Sequence, residues 1–199
     1  ECVRRCLDWE QWSVEEWQSG TRDSQAGLTD FYNTVQSWSF DLLWYAYLQA
    51  EGYAYPMSAV VADFLAADRP AGEHRAHLDF GSGVGATSQL FAALGWDVTL
   101  ADVSDTLLRV ARHRFDRRAT PATFLNLNVD RLPVDRYDAV TAFDVLAHVD
   151  DIDATLDELQ RQHVNSHPNL ERIKTLLGRM EAGIPGATQE FTIRVATYA

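Results

Sequence analysis

Two rhythms of apolar and polar positions alternate through the middle of this chain. Short apolar runs fall near residues 77–80, 97–101, 122–126 and 138–143, and helix-compatible stretches lie near 86–94, 105–118 and 152–162. Short apolar runs bounded by turn formers read as buried strands. Their alternation with helices predicts an α/β fold, a doubly wound and mainly parallel sheet with right-handed crossovers and helices on both faces. Sheets of this kind bind ligands outside the carboxyl ends of their strands.

The first 75 residues follow another pattern and read as helices with loops. Trp9, Trp12, Val14 and Trp17 form no clean stripe. Phe31 to Gln49 is dense in rings and leucines and predicts one apolar helix, with Leu42, Tyr45, Ala46 and Gln49 sharing a face. Tyr53 to Pro56 breaks it, Met57 to Ala67 reads as a further helix, and Arg69 to Glu73 is a turn-rich link into the first strand. The chain therefore divides into a helical cap or substrate lid over 1–75 and a ligand-binding α/β domain over 76–199. After Gln160 the alternation fades. His163 to Glu181 reads as polar loop and helix, Gly183-Ile184-Pro185-Gly186 as a turn, and Phe191 to Thr197 alternates like a final strand.

Composition narrows the function classes. With 199 residues, 46% hydrophobic and 11% aromatic, the chain has the material for a real core. No apolar run approaches the ~20 residues of a membrane span, and no basic-then-apolar leader opens the sequence, so a cytoplasmic protein without a membrane partner is expected. A net charge of −12 and a single lysine, Lys174, argue against a nucleic-acid partner. Arg109, Arg112, Arg114, Arg117 and Arg118 form a local basic run that fits a solvated helix face better than an anion patch. Cys2 and Cys6 resemble half a metal site, but no further Cys or His cluster completes it, and no metal is expected.

The candidate chemistry begins where the first apolar run ends. His77-Leu78-Asp79-Phe80-Gly81-Ser82-Gly83-Val84-Gly85 passes from strand through three alternate glycines into a helix. Such a loop lets a ligand lie against bare backbone and presents free helix N–H groups to an anionic group. Gly81 to Ala86 also fits a loose dinucleotide fingerprint. Asp79, two residues ahead of the first glycine, would repel a pyrophosphate but attract the ammonium and sulfonium of S-adenosylmethionine. The second strand ends in Asp102, 21 residues after Gly81, at the spacing of an acid that accepts both hydroxyls of an adenosine ribose.

Together these residues resemble the class I S-adenosylmethionine-dependent methyltransferases, closest to members acting on small molecules. Leu78 to Gly85 matches the first motif of that family and Leu100-Ala101-Asp102-Val103-Ser104 its acidic second-strand motif. Phe124 to Pro133 resembles the third-strand motif, and Tyr137 to Val149 the fourth. The resemblance covers about residues 76–160 and implies a Rossmann-like domain with S-adenosyl-L-methionine as cofactor. The residues it assigns to that cofactor are Asp79, Gly81, Ser82, Gly83, Gly85, Asp102, Val103, Asn128, Val129 and Phe143. Asn128 takes the place of the polar residue that meets the adenine amino group, where many members have Asp. Ala147-His148 stands where Glu-His is frequent. Beyond Gln160 the family's Pro-Gly-Gly-like turn, fifth strand and antiparallel end are not recognisable, which makes the C-terminal part atypical or incomplete.

Methyl transfer depends mainly on positioning, a dry site and, where needed, removal of a proton. His148, just past the fourth strand, is the candidate catalytic base, because histidine titrates near working pH. Its plainer alternative is a brace for the following helix. Tyr32 and Trp38 are candidate substrate-pocket residues among rings that are otherwise core. The expected activity is methylation of a small-molecule acceptor, at oxygen ahead of nitrogen or carbon. A peptide or protein methyltransferase docking through its N-terminal helices is the alternative enzyme. A non-catalytic S-adenosylmethionine-binding subunit is the alternative from another class, and an NAD-dependent oxidoreductase comes last because of Asp79.

Overall fold

In a computed structural model of the chain, residues 2–53, 57–67, 75–134 and 136–162 are described. The expected helix-loop segment after His163 and the final strand at Phe191–Thr197 lie outside them. Five helices come first: α1 (Cys2–Leu7), α2 (Trp9–Ser19), α3 (Gln25–Thr34), α4 (Gln36–Ala50) and α5 (Met57–Ala67). The alternating region then gives β1 (Ala76–Phe80), α6 (Ala86–Ala93), β2 (Asp97–Asp102), α7 (Asp105–Asp116), β3 (Thr123–Asn126), β4 (Ala139–Thr141) and α8 (Ile152–Gln162). The four strands pair in parallel in the order β3-β2-β1-β4. The chain builds outward from β1 to β3 and then crosses back to β4, so the strand order reverses between β1 and β4. Crevices at such reversals are where Rossmann-like sheets take ligands.

Adjacent strand residues face opposite ways, and the two cores follow from that. Val98 and Leu100 pack with Phe91, Trp96, Leu108, Ala111 and Phe115, with Ala62 of α5 joining them. Ala101 turns to the other face with Ala76, Leu78 and Tyr137. Helix α7 buries Leu107, Leu108, Ala111 and Phe115 at helical spacing. Its arginines are largely accounted for by local contacts: Arg109 pairs with Asp105 at 3.4 Å, Arg112 lies 4.3 Å over the Phe124 ring, and Arg114 donates to the Val84 carbonyl and to Gln89. Among the described residues no helix is long and apolar enough to cross a membrane.

The single helix expected over Phe31–Gln49 is two helices, broken at Val35, which is extended (φ −60, ψ 123). The cause is distant in sequence. The Glu16 carboxylate of α2 accepts the N–H groups of Gln36 (3.1 Å) and Ser37 (2.7 Å) and so caps the start of α4 from outside it. Burial alone would raise the Glu16 carboxyl, but these hydrogen bonds and Arg5 outweigh it and hold the group below its ordinary value. The break lets α3 run along the start of α7. Ser104 Oγ donates to the Tyr32 carbonyl (2.9 Å), Thr106 Oγ1 to the Asn33 carbonyl (3.0 Å), and the Thr106 N–H to Asn33 Oδ1 (3.2 Å).

Ser104 carries two of these duties, because its hydroxyl also accepts the Leu107 N–H at 3.2 Å as the N-cap of α7. Ser104→Ala should therefore cost about 1–2 kcal/mol, the scale for losing a cap, or roughly 2–8 °C in Tm for a chain of this size. Thermal melting together with faster amide exchange at the end of α3 checks this. Unchanged exchange there would mean that α3 is held by something else.

Candidate active site

The loop after β1 is built from left-handed backbone, with φ of 69 at Gly81, 53 at Gly83 and 73 at Gly85. The three glycines differ in what surrounds them. A Cβ on Gly81 would lie 2.6 Å from the Val145 Cβ, and one on Gly85 would lie 2.7 Å from Leu100 Cδ2. A Cβ on Gly83 would meet only Leu42 of α4, at an ordinary 3.5 Å. Gly81 and Gly85 are thus needed for packing, whereas Gly83 faces room beneath the N-terminal helices. Ser82 between them is buried, and its hydroxyl has no partner among the described residues.

Asp79 is only 3% exposed and does not line an open surface. Its Oδ2 accepts both the N–H (3.2 Å) and the hydroxyl (2.7 Å) of Ser88, and its Oδ1 lies 3.2 Å from Thr141 Oγ1. Gly85, the N-cap of α6, has no side chain to cap with, so Asp79 reaches from the strand to do it. The sequence pointed to the Asp79 charge acting on a ligand; hydrogen bonds within the fold already occupy both of its oxygens, so any such action works through space. Burial pushes its carboxyl up to about 6, against the lowering by Ser88 and Thr141. Thr141 also bonds His77 Nε2 at 2.8 Å, and burial lowers that imidazole to about 3.

Asp102 ends β2 and joins two segments. Its carboxylate accepts the N–H of Gly83 (2.8 Å) and of Ser104 (2.8 Å). Burial raises its carboxyl, while the hydrogen bonds pull it back. Val103 follows, and its carbonyl accepts Asn128 Nδ2 at 2.7 Å. Asn128 Oδ1 in turn accepts the Thr29 hydroxyl of α3 at 2.9 Å. A concavity of about 600 Å³ opens beside this contact, lined by Ala26, Thr29, Asp30, Asn33 and Asn128. Val129, in the turn after β3, is 79% exposed, and Phe143 is half-buried in the turn after β4.

Three residues singled out separately in the sequence come together. His148 sits on a short 3₁₀ turn, Leu146–His148, with its ring centroid 5.3 Å from Trp38 and 6.1 Å from Tyr32. It does not cap α8; that role falls to Asp151, whose Oδ1 accepts the Ala154 N–H at 2.9 Å. Trp38 is itself stacked on Trp17 at 5.3 Å. The Tyr32 hydroxyl is buried without a partner among the described residues, and burial pushes the phenol up to about 12, with Arg22 opposing and Asp102 and Asp150 adding to the rise. Asp41 of α4, half-buried, is raised by burial and by Asp144, which follows β4 with φ 54. Sequence reasoning did not assign Asp41, Ser104 or Thr141, each of which acts through a partner far away in the chain, or Ser88, whose partner Asp79 is nine residues back.

Residues 78–165 match the family model described as a methyltransferase domain. Among solved structures, phosphoethanolamine N-methyltransferase 2 of Haemonchus contortus with S-adenosyl-L-methionine is 20% identical, with a TM-score of 0.55 over 68% of this chain and 33% of that one. The same enzyme with phosphomonomethylethanolamine and S-adenosylhomocysteine gives 20% and 0.54 over the same shares. Magnesium protoporphyrin IX methyltransferase of Synechocystis PCC 6803 with bound S-adenosylmethionine gives 20% and 0.50 over 76% of this chain and 66% of that one. No curated protein matches the chain. The family match covers less than half of the chain, and the chain shares its Rossmann-like fold with these solved methyltransferase structures. The chain spans a third of the length of the nematode enzyme and two thirds of the cyanobacterial one.

Two outcomes follow from the loop. Gly81→Ala and Gly85→Ala should lower Tm clearly more than Gly83→Ala, which carries only the left-handed strain of about 1 kcal/mol. Equal losses at all three positions, by calorimetry, would contradict the difference in crowding. The second concerns pH. Because the folded carboxyl of Asp79 stands above its unfolded value near 4, the folded state holds the extra proton between about pH 4 and 6. Its buried charge therefore costs nothing below pH 4 and reaches about 3 kcal/mol above pH 6. Asp79→Asn should raise the Tm of the free protein at pH 8 by several degrees, with the gain shrinking as pH falls from 6 towards 4; His77 is common to both proteins and cancels. A lower Tm at pH 8 would show that the carboxylate stabilises the fold.

Proposed function

We propose that the chain is an S-adenosylmethionine-dependent methyltransferase acting on a small-molecule acceptor. The observation that carries this reading is the convergence of the glycine loop, Asp102 and His148 with Tyr32 and Trp38 at the carboxyl ends of β1, β2 and β4. The residues present fit the cofactor. Gly83 leaves room for a ligand against its backbone, and the buried Ser82 and Tyr32 hydroxyls lack partners among the described residues. Both point to a polar ligand, since buried hydroxyls ordinarily find one. When bound, S-adenosylmethionine supplies an electrophilic methyl group on a sulfonium.

Each residue then has a task. Asp102 accepts the ribose hydroxyls; a carboxylate has about four lone-pair positions, and two N–H groups take up only part of them. Asn128 offers its amide to adenine, giving up its bond to Val103 or to Thr29, with Val103 and Val129 beside it. Gly81, Ser82, Gly83 and Gly85 shape the loop under the ligand, Asp79 holds that loop and makes its surroundings negative, and Phe143 forms a wall after β4. Helices α1 to α4 act as a cover that keeps water away from the acceptor, with Tyr32 and Trp38 as the part that faces it. His148 takes the acceptor's proton. Nothing in the geometry singles out oxygen as the acceptor atom.

Titration calorimetry with S-adenosylmethionine, S-adenosylhomocysteine and NAD tests the cofactor directly. The first two should bind and NAD should not. Asp102→Ala should weaken binding by about 1–3 kcal/mol, roughly 5- to 150-fold. Tight NAD binding, or no effect at Asp102, would overturn the assignment. His148→Ala should lower the methylation rate by about 10²–10⁴-fold with cofactor affinity nearly unchanged. Normal turnover in that variant would leave the reaction to positioning alone.

A further inference from the structure

The concavity beside Asn128 is bordered by two parts of the chain. Ala26, Thr29, Asp30 and Asn33 of α3 form one side, and Asn128, after β3, forms the other. At about 600 Å³ it is roomy enough for a heteroaromatic base with its sugar. Helix α3 also reaches the end of β2, because Ser104, two residues after Asp102, holds the Tyr32 carbonyl at 2.9 Å. One helix therefore runs from the strand end that carries Asp102 to the one that carries Asn128. Those are the ribose and base positions of the cofactor reading above.

The Asn128 amide has a fixed orientation. Its Nδ2 donates to the Val103 carbonyl at 2.7 Å and to Asn126 Oδ1 at 2.8 Å. A main-chain carbonyl only accepts, so turning the amide over would set oxygen against oxygen. Oδ1 is thereby directed to α3, where the Thr29 hydroxyl donates to it at 2.9 Å. Thr29 and Asn128 both line the concavity, so this hydroxyl occupies the side of the oxygen that a ligand there would approach. Asn128 is exposed and Thr29 half-buried, so water takes up the hydroxyl once it is released.

We propose that Thr29 is the cap's specificity residue for the cofactor base. Its hydroxyl holds the place on Asn128 Oδ1 that only another donor can take over, and the exocyclic amino group of a 6-aminopurine is such a donor. A 6-oxopurine presents an acceptor there, which either leaves the Thr29 bond in place or faces the amide oxygen unpaired. The exchange also unfastens the amino half of α3, while Ser104 and Thr106 keep its carboxyl end on α7. This rests on the cofactor reading above and names Thr29, not Val103, as the partner that Asn128 releases.

The test uses the whole chain, titration calorimetry and two ligands that differ at one position of the base, S-adenosylhomocysteine and S-inosylhomocysteine. The parent chain should bind the amino form, and the oxo form more weakly. Thr29→Val removes the competing hydroxyl and keeps the branched shape, so it should tighten S-adenosylhomocysteine about two- to tenfold. It should leave S-inosylhomocysteine unchanged. Thr29→Ser keeps the hydroxyl and should bind both ligands like the parent. In hydrogen exchange, S-adenosylhomocysteine should speed the amides of the first two turns of α3 in the parent but not in Thr29→Val. Equal gains with both ligands would reflect a general loosening of α3 and overturn the proposal. An unchanged or weaker affinity in Thr29→Val, or slower exchange in those turns, overturns it too, because the hydroxyl would then not compete with the base. In each of these cases S-adenosylhomocysteine still binds and the cofactor reading stands. A parent chain that binds neither ligand overturns the cofactor reading, and the role of Thr29 falls with it.

Discussion

One buried carboxylate fixes the geometry on which the rest of this site depends. Asp79 satisfies the third N–H of α6, which Gly85 cannot, and its other oxygen reaches across the sheet to Thr141 of β4. The start of α6 and the ends of the two central strands are thereby held together at one point. That arrangement works against the stability of the free protein, because a carboxylate is kept from water with only neutral donors around it. Asp102 repeats the device one strand away, tying Gly83 to the start of α7.

The N-terminal helices belong to this construction. Glu16 breaks the aromatic segment at Val35, and the break turns α3 onto the amino end of α7. Without it, one continuous helix would carry Tyr32 and Trp38 along a straight axis. With it, both rings lie against His148, and Leu42 lies over Gly83. Cap and α/β part therefore meet at the glycine loop and at the aromatic cluster as well as along α7.

The sheet was legible in the sequence because its signals are local. The apolar runs and the alternate glycines act within a few residues of themselves, and the observed strands fall within a residue or two of their expected positions, except that β4 is shorter. What was not legible depends on partners remote in the chain. Val35 carries no helix-breaking chemistry of its own, and only Glu16 explains it. Asp79 could be placed, but its partners Ser88 and Thr141 could not. The carboxylate expected to face a ligand directly is buried in hydrogen bonds. Asn128 was marked for adenine and is found bridging Val103 and Thr29, a tertiary contact that no pattern announces. Tyr32, Trp38 and His148 were each selectable by residue type, but their meeting required the fold.

The way α3 docks has a consequence for divergence. Two of its bonds to α7 end on main-chain carbonyls, those of Tyr32 and Asn33, which the end of any helix leaves free. Ser104 and Thr106 thus grip position 32 without regard to its side chain. Substitution at position 32 can exchange that ring while the grip stays in place, so this part of the surface is free to drift on a mount that does not.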